Sequence, residues 1–349
     1  VPTGCLNYGD EAQRTELGYD IVGHPPRSEF PGRVSSAFYG FSVLGNGTPG
    51  LVSYSVVVPD SVAIEPLDES WTKTDGDGIT TYSHAPVEDP DNFEVPIVAR
   101  DDRQLTRSAL TTEAGNQFIV QHWPGDTAWN QFVQAQITSG VPVLQQMIGQ
   151  EWPIDGALEV REAYTPYLYG YAGWFSALTN ELEMGEDLNP EVVLHELSHA
   201  WFNKAWFSDR WLNEGFAQVY SNAALRELGA PSFAPAPISP SDPGASPLDE
   251  WGDPTGTDGG ADTEQFGYNA AFYVVQQIVD EIGVDAMQQI LTMVASGEPL
   301  YSGNADDETT GEATDWRRFL DLVEFVGGSQ QAADLFQQYV IPPDQRDVL

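Results

Sequence analysis

Asn189-Pro190-Glu191-Val192-Val193-Leu194-His195-Glu196-Leu197-Ser198-His199, followed by Trp211-Leu212-Asn213-Glu214-Gly215, is the stretch on which the reading of this 349-residue chain turns. Its first part reads as a helix: Asn189 is an N-cap, Pro190 opens the first turn, and Val192, Val193, Leu194 and Leu197 form an apolar side. Ala200, Trp201 and Phe202 extend it. Helix positions four apart lie one above the other, so His195 and His199 can aim ring nitrogens at a single zinc ion. Glu196 sits beside that point without ligating, where a carboxylate can take a proton from metal-acidified water and pass it to a leaving amine. The chain has five histidines, and this pattern arises by chance with a probability on the order of 1%. Two buried histidines that merely satisfy hydrogen bonds are the competing reading.

The second part opens another helix, in which Leu212, Phe216, Val219, Tyr220 and Ala223 recur at near-helical spacing and Glu214 falls near the N-terminus. A carboxylate buried between packed helices costs several kcal/mol unless a cation shares it, which makes Glu214 the candidate third ligand. An exposed first-turn acid favoured by the helix dipole is the alternative. Asp209, Gln218 and Glu227 are the reserve candidates.

These two segments resemble the active-site helix pair of the M1 aminopeptidases, gluzincins that include leukotriene A4 hydrolase. The resemblance runs over roughly residues 120 to 340. It takes in Trp123-Pro124-Gly125-Asp126 with Trp129, Pro142, Gly149-Gln150-Glu151-Trp152-Pro153, and Phe266-Gly267-Tyr268 at the head of a long amphipathic helix. It implies one zinc per chain held by His195, His199 and Glu214, Glu196 as general base and then acid, and Tyr268 as the donor that stabilises the oxyanion. A tyrosine that only packs the helix start is the other reading of Tyr268; Tyr273 is expected in the core.

Two departures stand out. The spacer between His199 and Glu214 is about four residues shorter than in that family, so the connection must be tighter. The Gly-x-Met-Glu-Asn segment, whose glutamate holds the substrate's amino group, is missing. In its place stands Gly170-Tyr171-Ala172-Gly173-Trp174-Phe175, then Leu178, Leu182 and Met184, read as an edge strand able to take an extended peptide by strand addition. Glu181 or Glu183 is the candidate replacement anchor. Three functions are therefore open: an aminopeptidase, an endopeptidase or other zinc hydrolase, and a non-catalytic binding module of the same fold.

Composition narrows the surroundings. A chain 41% apolar and 11% aromatic is long enough for two domains and a sizeable core. A formal charge of −39, from 53 acids against 14 bases, repels nucleic acid and anionic membranes. The acids are spread throughout, as expected of adaptation to salt or of a cationic substrate. The lone Cys5 excludes an internal disulfide framework, though its place near the start permits lipid attachment. A start at Val1 suggests a removed leader and hence a secreted or cell-surface protein. No run is apolar enough to span a membrane.

The expected architecture is α+β. Residues 1–120 comprise an extended N-terminal segment and a β-rich domain, with strands at Phe38–Val43, Leu51–Val58, Ile79–Tyr82, Phe93–Val98 and Phe118–Gln121. Gly45-Asn46-Gly47 and Asp75-Gly76-Asp77-Gly78 read as turns, the latter in preference to a calcium loop. Residues 121–349 form a mainly helical, thermolysin-like zinc peptidase domain with a small mixed sheet. Asp126 caps a first helix, residues 230 to 264 make a long loop near the cleft, and helices follow at Phe272–Ile282, Trp316–Phe325 and Gln330–Tyr339. His24, His84 and His122 lack a second ligand at useful spacing and are assigned surface or capping roles.

Overall fold

A computed structural model describes residues 105–163, 168, 171–252, 261–300 and 313–348, and before them segments 5–8, 15–18, 35–41, 52–65, 70–87, 94–101 and 103. Most of residues 1–35, His24 and the Gly45-Asn46-Gly47 turn lie outside the described residues.

The N-terminal strands are β1 (Cys5–Tyr8), β2 (Thr15–Gly18), β3 (Ser35–Phe41), β4 (Val52–Pro59), β5 (Ala63–Glu65), β6 (Trp71–Gly76), β7 (Ile79–Val87) and β8 (Glu94–Arg100). They pair as β1-β2, β3-β8-β5 and β4-β7-β6. The hairpin between β6 and β7 turns at Asp77 and Gly78, both at positive φ (52° and 81°), the conformation that two-residue hairpin loops require. Asp75 accepts a 2.7 Å hydrogen bond from Thr80, so this segment is a turn, as its sequence suggests.

The strands β9 (Thr106–Thr111), β10 (Gln117–His122), β11 (Ala157–Glu162), β12 (Gly173–Ser176) and β13 (Glu181–Met184) form a mixed five-stranded sheet in the order β12-β13-β11-β10-β9. β10, β11 and β13 run parallel, and β12 is antiparallel at one edge. Of the strands predicted from sequence, this sheet contains Phe118–Gln121 and the edge strand, the latter as a hairpin: Gly173–Phe175 lie on the edge in β12, whereas Leu182 and Met184 lie on β13, paired on both sides. β9 and β11 are missed because one face of each carries charged and polar residues that weaken the apolar signal.

The helices are α1 (Thr127–Ile148), α2 (Pro190–Ser198), α3 (Arg210–Glu227), α4 (Ala261–Ile282), α5 (Val284–Ser296), α6 (Trp316–Phe325) and α7 (Ala332–Leu335), the last running into a π turn over Phe336–Val340. α1 begins as predicted, with Asp126 accepting from the Trp129 amide at 2.9 Å, and stops at Gly149 in the left-handed region. α5 is absent from the sequence reading. α4 begins seven residues ahead of Tyr268, so Tyr268 lies two turns inside its helix and not at its start. Gly283, at φ 82°, separates α4 from α5.

One core joins the sheet to all the main helices, from Phe118 on β10 to Ile341 after the last turn. Its centre is aromatic: Phe202, Phe207 and Phe216 stack with centroids 5.1–5.2 Å apart, and Phe319 meets Phe216 edge-on at 5.5 Å. Close helix approach depends on glycine at two points. A Cβ on Gly140 of α1 would lie 2.2 Å from Leu194 of α2, and one on Gly215 of α3 would lie 2.7 Å from the Ala271 carbonyl of α4. These contacts seat α2 on α1 and α3 on α4.

Candidate metal centre

The cap on α2 forms as its sequence dictates: Asn189 accepts from the Glu191 amide at 3.0 Å and Pro190 fills the first turn. The helix is shorter than expected, with His199 as its C-cap. The Asn203 side chain folds back to donate to the carbonyls of His199 and Ala200 at 2.9 and 3.0 Å, satisfying groups the helix end would leave open. On the far side of the short connection, Asn213 donates to the Phe207 and Asp209 carbonyls at 3.0 and 3.2 Å. Two asparagines thus hold the tight spacer between His199 and Glu214.

His195, His199 and Glu214 converge. His195 Nε2 lies 3.2 Å from Glu214 Oε2 and 3.2 Å from His199 Nε2, and His199 Nε2 lies 3.5 Å from the same carboxylate oxygen. A tetrahedral zinc with bonds of about 2.0–2.1 Å has ligand-to-ligand edges near 3.3 Å, which these three separations match. Among the described residues this is the group of His, Cys, Asp and Glu side chains with metal-holding proximity. The ring orientation also fits, because His199 Nδ1 donates to the Phe202 carbonyl at 2.8 Å and Nε2 is the nitrogen turned toward the cluster. His195 Nδ1 is buried with no hydrogen-bond partner among the described residues.

The three side chains and Glu196 act strongly on one another through charge. Burial opposes ionisation of Glu214, but the charge of His199 and hydrogen bonds from both imidazoles hold its carboxyl below the usual carboxylate range. Burial alone would lower His199; the charge and hydrogen bond of Glu214 outweigh it and push His199 up to about 9. Glu196, 7% exposed, behaves oppositely. Burial raises its carboxyl above the ordinary range, the two imidazoles counteract, and the charge of Glu214 adds to the rise. Its carboxylate lies against Gly173 of β12, where a Cβ would come within 3.1 Å of Oε1.

All four side chains line a cleft of about 730 Å³, with β12 on one wall and Tyr268 on another. Burial and the nearby charge of Glu214 raise the Tyr268 phenol well above its usual range. Arg210 Nη2 donates to its hydroxyl oxygen at 3.2 Å. Tyr273 packs against Tyr339 at 5.9 Å and does not line the cleft, in keeping with a packing role.

Other candidates fall elsewhere. Glu181 and Glu183 do not line the cleft; Arg161 takes them at 3.0 and 2.8 Å on the sheet, and the Trp174 indole donates to Glu183 at 3.1 Å. Neither is placed to anchor a substrate amine there. Asp209 accepts from the Trp316 amide at 2.6 Å and ties α3 to α6. Gln218 lines the cleft but donates to Glu191 at 3.0 Å. His122 is buried, not superficial, with Nδ1 3.0 Å from the Trp123 carbonyl, and His84 Nδ1 lies 2.6 Å from the Ala85 carbonyl. The long loop is docked where it is described: Leu248 and Trp251 are buried, and the Trp251 ring covers Gly267 so closely that a Cβ would lie 2.2 Å from it.

Sequence reasoning passed over Arg210 and Glu264, while Trp251, expected to dock the long loop on the body, does so. The available signal was spacing: Arg210 precedes Glu214 by four residues and Glu264 precedes Tyr268 by four, placing each pair on one helix face.

No model of a known protein family matches the chain, and no curated protein matches it by sequence. Solved structures do. The chain is similar to the M1 zinc metallopeptidase of Deinococcus radiodurans, with 18% identity and a TM-score of 0.44 over 84% of this chain and 65% of that one. It is similar to aminopeptidase A of Legionella pneumophila, crystallised with aspartic acid, with 14% identity and a TM-score of 0.46 over 88% and 35%. It is also similar to leukotriene A4 hydrolase of Saccharomyces cerevisiae, with 14% identity and a TM-score of 0.48 over 84% and 47%. The chain thus spans less than two thirds of the length of each.

Proposed function

We propose that this chain is a zinc-dependent peptidase of the M1-like gluzincin type, with residues 121–349 as its catalytic part. The observation that carries the reading is the triangle of His195, His199 and Glu214 ligand atoms, with sides of 3.2, 3.2 and 3.5 Å, beside a buried Glu196 in an open cleft. Bound there, a zinc ion supplies Lewis acidity, acidifying water and polarising a carbonyl. Glu196 takes a proton from the attacking water and delivers it to the nitrogen of the leaving amine. Burial raises its carboxyl above the ordinary carboxylate range, the direction a general base working near neutrality requires. Tyr268 donates its hydroxyl hydrogen to the carbonyl oxygen as that atom gains charge. Edge strand β12 offers backbone groups to an extended peptide.

Cleavage within a chain is favoured over release of a free N-terminal residue. Glu181 and Glu183 are committed to Arg161, and Glu191, which does line the cleft, is hydrogen-bonded by Gln218. The test is digestion of paired peptides with free and acetylated N-termini by zinc-loaded protein, its Glu196→Gln variant and a chelated sample. The reading expects cleavage of both peptides by the zinc-loaded protein alone. Activity retained by Glu196→Gln would remove Glu196 from its role, and failure to take up one zinc per chain would remove the site.

A further inference from the structure

Arg210 is one of 14 basic residues in the chain, yet it stands in the cleft wall with its side chain only 8% exposed. On α3 it lies one turn before Glu214; on α4, Glu264 lies one turn before Tyr268. Where the two faces meet, Glu264 accepts from both guanidinium nitrogens at 2.9 Å. Arg210 Nη1 also donates to the Gly252 carbonyl at 2.9 Å. The Trp251 indole and the Tyr171 hydroxyl donate to Glu264 at 3.0 and 3.2 Å, and Trp251 places its ring 4.0 Å from the guanidinium carbon. Held by that frame, Nη2 directs a further hydrogen at the Tyr268 oxygen, 3.2 Å away.

A guanidinium has donors and no acceptor. At this contact the phenolic oxygen must therefore accept, and its own hydrogen is left to donate elsewhere, Tyr268 being one of the residues that line the cleft. We propose that Arg210 is a positioning residue, locked by Glu264 and Trp251, that fixes Tyr268 as a hydrogen-bond donor toward the substrate. The inference rests on the peptidase reading. Lysine would not replace it, because an ammonium lacks the planar fork that grips Glu264 and Tyr268 together.

The test is a double-mutant cycle of Arg210→Met and Tyr268→Phe, with Glu264→Gln as a second route to the same frame should Arg210→Met fold poorly. Turnover is read on an internally quenched peptide library with zinc-loaded protein, and thermal midpoints on chelated, metal-free protein. Tyr268→Phe is expected to lower kcat about 100-fold. Arg210→Met should lower kcat about tenfold with little change in KM, and by less than about twofold in the Tyr268→Phe background. Arg210→Lys should recover only part of the loss. In metal-free protein, Arg210→Met should cost about 2 °C more when Tyr268 is present than when it is phenylalanine. Equal losses in both backgrounds would overturn the positioning role while leaving the peptidase reading intact. A wild-type protein that binds zinc but cleaves no peptide in the library overturns both.

Discussion

Gly215→Ala isolates the joint that brings the cleft together. Alanine in mid-helix normally gains about 1 kcal/mol over glycine, so a helix free of neighbours would be strengthened. Here the added methyl would lie 2.7 Å from the Ala271 carbonyl oxygen and 2.7 Å from Val275 Cγ2. Carbon-to-oxygen contacts settle at about 3.3 Å or more. α3 and α4 must therefore part by about half an ångström, since the carbonyl belongs to backbone and cannot swing aside. Overpacking of this kind costs about 1–3 kcal/mol, leaving a net loss of about 1 kcal/mol and a fall in the melting midpoint of about 2–4 °C. The shift also displaces Glu214, the preceding residue, relative to His195 and His199. A displaced ligand should weaken zinc binding about tenfold, the lower end of what supporting contacts are worth at metal sites. Melting in chelator gives the first quantity and competition with a chromophoric chelator the second. A variant as stable as wild type, with unchanged zinc affinity, would refute the argument that the α3–α4 approach sets the ligand geometry.

Three further outcomes follow from charge. His199, pushed up to about 9 in metal-free protein, contributes stability fully below its unfolded value near 6.5, and that contribution is lost as pH rises through 9. Melts in chelator should show this loss and lose it in His199→Gln, while apparent zinc affinity climbs toward pH 9 as the competing proton leaves. Asp209 is raised to about 6, chiefly by burial and then by Asp249 and Asp315, against a stabilising hydrogen bond from Trp316. An acid raised on folding costs stability above that value, so Asp209→Asn should raise the melting midpoint at pH 8 and not below about pH 4. A chain with 53 acids and 14 bases repels itself, so adding salt at constant pH should raise the midpoint steadily. A flat response from low to molar sodium chloride would contradict that account.

The parts of the site that were legible in the sequence are those written within one helix. The four-residue spacing of His195 and His199, the Asn189-Pro190 cap and the apolar stripe of α3 are local, and the structure repeats them. The end of α2 was misread because Ala200, Trp201 and Phe202 are good core residues, all buried, whether helical or not. What stops the helix is Asn203 reaching back to two carbonyls, a contact no periodicity reports. Glu181 and Glu183 were ambiguous for a similar reason. Their pairing with Arg161 depends on β11 and β13 lying side by side, a register fixed only in the folded sheet.

The chemistry of the cleft comes from three helix faces, each legible alone, that acquire meaning on meeting. α2 presents Glu191 and His195 one turn apart, with His199 a turn further on; α3 presents Arg210, Glu214 and Gln218; α4 presents Glu264 and Tyr268. Each cross-helix contact takes one member from two of these rows: His195 with Glu214, Glu191 with Gln218, Arg210 with both Glu264 and Tyr268. Such a ladder satisfies buried charge at every rung but the metal rung, where two imidazoles and a carboxylate meet at one point with two ring nitrogens facing each other at 3.2 Å. Neutral imidazoles with both lone pairs turned inward repel. The charge and hydrogen bond of Glu214 hold a proton on His199, and under the proposed reading zinc, by displacing that proton, should stabilise the fold.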